Sequence, residues 1–93
     1  MKRVLIVSKD AGGTSSLVPV VQQMLERGAE IRILASGPAI RVWEQVSIPT
    51  ECQRIDDLVS DTDARDMIKS FQPWVVVTGA GAYNLIEHTF RRA

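Results

Sequence analysis

The chain is short of most of the features that announce a function. Its 93 residues hold one cysteine, Cys52, and one histidine, His88. A single cysteine excludes an intramolecular disulfide and fits a reducing compartment. One cysteine with one histidine leaves no cluster of soft metal ligands, so neither a metal nor a cofactor is expected. Aromatic residues make up only 5% of the chain, too few for a base-stacking surface. Eleven basic and eleven acidic side chains cancel. A neutral chain has no electrostatic reason to seek DNA, RNA or an anionic membrane. After Met1-Lys2-Arg3 the apolar run is too short for a signal peptide or a membrane span. These absences together point to a small cytoplasmic domain without a nucleic-acid partner.

What is present alternates regularly. Val4-Leu5-Ile6-Val7 is a continuous aliphatic run, suited to a strand buried on both faces of a parallel sheet. A loop over Ser8–Thr14 follows, then Leu17, Val20, Val21, Met24 and Leu25 at helical spacing, with Pro19 expected in the first turns and Gly28 as the stop. Glu30 to Ala35 is the second strand. Ser36-Gly37-Pro38 opens a second helix with Ala39, Val42, Trp43 and Val46 as its buried stripe, broken at Ile48-Pro49. Thr50 to Arg54 is short and polar, a weak edge strand.

The aspartate-rich stretch Asp56–Asp66 reads as helix-start chemistry: Ser60 caps with Asp63 three residues on, and Ala64, Met67, Ile68 and Phe71 form the apolar face. A metal site there is the remote alternative. Trp74 to Thr78 is a second strongly apolar strand, and Gly79-Ala80-Gly81 leads into a fourth helix. The order βαβαβαβα with right-handed crossovers predicts an α/β Rossmann-like three-layer domain, with a four-stranded parallel sheet in the order 3-2-1-4. The fourth strand then lies at an edge, long and apolar, and needs a cover. The expectation is either a homodimer pairing there, as a stand-alone small-ligand-binding or regulatory module or a non-catalytic structural fragment, or residues 1–93 as a single domain that is a fragment of a larger two-domain protein; the alternative is an intact monomer whose edge a loop guards.

Open parallel sheets bind ligands outside the carboxyl ends of the strands where the strand order reverses, here between strands one and four. Asp10, Gly12, Gly13, Thr14 and Ser15 lie at one side of that crevice, and Gly79, Gly81 and Asn84 at the other, with Thr78 and Tyr83 as further polar contacts. Glycines admit an anion close to the backbone, and a helix start offers unpaired N–H groups. A small ligand carrying phosphate or sugar is the expected partner; the alternative is a tight turn with a capped helix and no ligand. Asp10 is a possible base, or else a turn-stabilising residue. The dinucleotide fingerprint is absent, since Gly12-Gly13 lacks its spacing and no acid follows the second strand. No G-K-[ST] occurs, which excludes a P-loop. A receiver domain would want an aspartate where the fourth strand ends in Thr78-Gly79. His88 beside Glu87 reads as a solvated helix residue.

Three stretches carry a resemblance. Gly12-Gly13-Thr14 with Pro19 and Leu25-Glu26-Arg27-Gly28-Ala29-Glu30-Ile31 resembles the opening of GT-B glycosyltransferases, in particular those that add N-acetylglucosamine to the lipid-linked peptidoglycan precursor. Val46-Ser47-Ile48-Pro49-Thr50 is similar to their "G-I-P" stretch, with Ser47 where glycine is usual. Pro73-Trp74-Val75-Val76-Val77-Thr78-Gly79 resembles their "P-D-V-V" strand. UDP-N-acetylglucosamine 2-epimerases share this architecture. The resemblance implies an acceptor-side half-domain of a protein that handles sugars or nucleotide-sugars, with no turnover by this part alone. Thr14, Ser15 and Ser16 stand where the peptidoglycan-precursor group carries a loop histidine.

Overall fold

A computed structural model describes residues 2–46, 48, 50, 52–55 and 60–78. The elements run β1 (Arg3–Ser8), α1 (Ala11–Glu26), β2 (Glu30–Ala35), α2 (Ala39–Gln45), β3 (Cys52–Arg54), α3 (Asp61–Phe71) and β4 (Val75–Thr78). The four strands form one sheet in the order β3-β2-β1-β4, all parallel. Central β1 is in register with both neighbours: Ile6 lies opposite Ile33 of β2 and opposite Val77 of β4. The Rossmann-like α/β fold anticipated from the alternation is the fold observed.

Alternation along the strands divides the core between two faces. Val4 and Ile6 of β1, with Ile31, Ile33 and Ala35 of β2, meet Val21 of α1 and Ala39 and Trp43 of α2. Leu5, Val7 and Leu34 face the other way, onto Ala64 and Phe71 of α3. Leu5, Ile6 and Val7 are wholly buried, as a central parallel strand with helices on both sides must be.

Helix α1 departs from the sequence expectation. It begins at Ala11, so Gly12, Gly13 and Thr14 occupy its first turns and not a loop. Pro19 sits well inside the helix and not in its first turns. The packing explains both. Thr14, Leu17, Val18, Val21, Met24 and Leu25 fall at intervals of three and four, and this stripe faces the sheet. A stripe that starts at Thr14 requires helix upstream of Thr14. The same geometry puts Pro19 and Val20 on the solvent side, with Val20 42% exposed, and Val18 takes the core position expected for Val20. An interior proline costs about 3 kcal/mol through its lost N–H and its ring clash. Fully burying Val21, worth roughly 1.5–3 kcal/mol, together with the partial burial of Leu17, Val18, Met24 and Leu25 on the same helix, outweighs that.

The ends of α1 and α3 follow local rules. Gly28 has φ of +86°, and the amides of Gly28 and Ala29 donate to the carbonyls of Leu25 and Met24 at 3.0 Å each, a Schellman stop. Ser60 Oγ accepts from the Asp63 amide at 3.1 Å, the expected cap of α3, with Asp61 and Asp63 in the first turn. At the other end Gln72 adopts a left-handed φ of +52° before Pro73. Arg3 ties that end to the sheet: its Nη1 donates to the Phe71 carbonyl at 3.0 Å and its Nε pairs with Glu30 at 3.1 Å.

Three elements are shorter than expected. Helix α2 stops at Gln45, and Val46, extended at φ −104°, packs on the core from beyond it. Strand β3 holds only Cys52–Arg54; Thr50 replaces a ladder rung with its side chain, Oγ1 donating to the Ile31 carbonyl at 2.6 Å. Trp74 lies outside β4 and is 67% exposed. The expected fourth helix, with Gly79, Gly81, Tyr83, Asn84 and His88, lies outside the described residues.

Candidate functional site

The carboxyl ends of β1 and β2 are tied together by polar contacts beneath the start of α1. The Ser36 amide donates to the Ser8 carbonyl at 3.2 Å, and the Ala39 amide to the Lys9 carbonyl at 2.8 Å. Inside this junction Trp43 Nε1 donates to Ser8 Oγ at 2.9 Å, and Ser8 is fully buried. The indole therefore spans from α2 to the end of β1 and holds the first βα turn against the second. The methylenes of Lys9 lie over Gly37, where an added Cβ would meet Lys9 Cγ at 3.5 Å.

Asp10 is the residue before α1, with φ −75° and ψ 139°, and its side chain makes no capping bond. It is exposed, and its carbonyl accepts from the Thr14 amide at 2.9 Å. The amides of Ala11, Gly12 and Gly13 precede the first intrahelical bond, as in every α-helix. No acidic side chain lies in the first turn. Gly12 and Ser15 are exposed and Gly13 is half-buried. Thr14 is wholly buried, and its Oγ1 has no hydrogen-bond partner among the described residues. Ser16 Oγ is engaged internally, donating to the Gly12 carbonyl at 3.3 Å.

The structure thus brings Asp10, Gly12, Gly13, Thr14 and Ser15 together at one helix start. Thr78 joins them across the sheet: it lies opposite Val7, one residue before Ser8. Gly79, Gly81 and Asn84 fall outside the described residues, as does the other wall of the expected crevice. The buried group Ser8, Ser36 and Trp43 was not singled out from the sequence. Its signal was a serine closing each of two apolar strand runs, Ser8 and Ser36, where continued aliphatic character would be expected.

Chemistry elsewhere is sparse. Cys52 is half-buried on edge strand β3; burial pushes its thiol above the ordinary range, the Glu44 carboxylate adds to this and Arg54 offsets it. A thiol held protonated is a poor nucleophile. Among the described residues no three of His, Cys, Asp and Glu come together as metal ligands. Nor is any helix among them long and apolar enough to cross a membrane. No protein-family model, curated protein or solved structure matches the chain.

Proposed function

We propose that this chain is a small-ligand-binding Rossmann-like half-domain that seats a phosphate- or sugar-bearing molecule over the N-terminus of α1. The reading is that of the acceptor-side domain of a GT-B-like protein that handles sugars or nucleotide-sugars, and the chain alone turns nothing over. The observation that carries it is Thr14: a fully buried hydroxyl without a partner among the described residues, at the start of a helix whose first turn holds no acidic residue and whose N-terminus has no side-chain cap. Leaving a buried hydroxyl unsatisfied costs about 1–3 kcal/mol, and valine would fill the same volume without that cost. Helical side chains lean toward the helix N-terminus. A ligand oxygen seated at the first turn gives the Thr14 hydroxyl the partner that the protein does not. The amides of Ala11, Gly12 and Gly13, and the positive end of the helix dipole, favour an anion at the same place.

Amide-resolved NMR with inorganic phosphate, UDP and UDP-N-acetylglucosamine tests this. Saturable shifts confined to residues 10–16 and 78–84 support the site, and the tightest ligand names its class. An absence of shifts at millimolar ligand removes it. Gly12→Val sharpens the test, because a Cβ at Gly12 meets nothing within 4 Å and the fold has room for it. That variant stays folded and loses the ligand.

One observation favours a second reading, a stand-alone module that dimerises. Among the described residues β4 pairs only with β1, and all four of its residues are half-buried. An apolar strand with one unpaired edge is a template for strand addition. Sedimentation equilibrium decides: a dimer that persists on dilution and is lost with a charged residue at Val76 favours this reading.

A further inference from the structure

A concavity lies at the opposite end of the sheet from the start of α1. It is a groove of about 480 Å³ beside the amino ends of β1 and β4, walled by Lys2, Arg27, Met24 and Trp74 over a floor of Val4 and Val75. This volume falls within the range of small-ligand sites, which are mostly apolar with a few convergent polar groups. The polar groups here are both cations. Arg3 and Arg54 have carboxylate partners at 3.1 and 3.0 Å, but Lys2 and Arg27 have none among the described residues. Lys2 Nζ rests instead on the Trp74 ring, 3.9 Å from its centroid.

Trp74 is 67% exposed, while its amide is anchored by a 2.7 Å bond to the Arg3 carbonyl. The indole is therefore held at the rim by its backbone. An exposed ammonium–indole contact is worth only about 0.5–1 kcal/mol, so an anion readily draws Lys2 away and frees the ring face. Among the described residues that line it, the groove has no carboxylate to compete. Arg27 is fixed at its mouth by the Schellman turn that ends α1.

We infer that this groove binds a small planar carboxylate, with its anionic end between Lys2 and Arg27 and its ring packed on Trp74, Val4 and Val75. The site is separate from the one at the start of α1 and does not depend on it.

The 93-residue chain titrated with benzoate, and in parallel with the uncharged isostere benzamide, tests the inference. The readout is the two indole N–H resonances, with Trp74→Phe identifying that of Trp74. Benzoate shifts the Trp74 signal saturably and leaves that of buried Trp43 in place, which also reports an intact core. Benzamide binds about tenfold more weakly or worse, the scale of a lost charge-assisted contact. The double variant Lys2→Gln/Arg27→Gln, both exposed positions, weakens benzoate to the level of benzamide. A Trp74 signal that does not move at millimolar benzoate overturns the inference. So does benzamide binding as tightly as benzoate, or a double variant, with the Trp43 signal unchanged, that binds benzoate as before.

Discussion

Replacing Thr14 by valine separates what the fold needs from what a ligand needs. The two side chains have nearly the same shape, are both β-branched, and have similar helix propensity. Thr14 is wholly buried and its Oγ1 lacks a partner among the described residues, so valine removes a desolvated hydroxyl and loses no hydrogen bond found there. The expected gain is about 1–3 kcal/mol in folding stability, the cost ordinarily attached to an unsatisfied buried polar group. With a urea m-value of roughly 1–2 kcal/mol per molar for a chain this small, even about 1 kcal/mol raises the unfolding midpoint by roughly 0.5–1 M at constant slope. Thr14→Ser is the control: it keeps the hydroxyl, drops one methyl group, and lowers stability by about 1 kcal/mol. Phosphate or UDP binding at the start of α1 moves the other way, falling with valine and surviving with serine. If valine proves less stable than threonine, the hydroxyl has a partner in the folded protein and the observation behind the proposed site is withdrawn.

Three further outcomes follow from local geometry. Gly12→Ala adds a Cβ with nothing within 4 Å and replaces a poor helix former, so thermal unfolding should report a gain of about 1 kcal/mol. Gln72→Gly relieves the left-handed φ of +52° at the end of α3 and should stabilise by about 0.5–1 kcal/mol, whereas Gln72→Val should destabilise; urea titration of the pair gives the sign. Iodoacetamide should alkylate Cys52 more slowly in the folded chain than in urea, with the rate–pH profile displaced to higher pH, because burial raises the thiol. The sign for stability follows: the folded thiol holds its proton more tightly than the unfolded one. The stabilisation is therefore complete below the unfolded thiol's pKa and is lost as pH climbs through the folded value.

Much of the fold was legible along the chain, because its signals are local. The aliphatic run Val4–Val7, the alternation of strand and helix, the Gly28 stop and the Ser60–Asp63 cap each depend on neighbours within a few residues, and each stands in the structure. Handedness rules then carry that alternation to the strand order β3-β2-β1-β4. Of the candidate site, the placing of Asp10 to Ser15 after the carboxyl end of β1 was recognisable, because it follows from the order of strand and helix.

Tertiary packing decided the rest. Gly12-Gly13 and Pro19 read locally as a loop and an early helical turn, yet both lie within α1. Local preferences are worth at most a few kcal/mol, and the stripe from Thr14 to Leu25 buried on the sheet outweighs them. The exchange of Val20 for Val18 in the core is a matter of helical phase, which is set once the helix start is set. The Trp43–Ser8 bond and the gathering of Lys2, Arg27 and Trp74 around one groove join residues far apart in the chain. No periodicity in the sequence encodes such contacts. They exist because parallel strands bring their like ends together, so that residues 2, 27 and 74 become neighbours only when the sheet has formed.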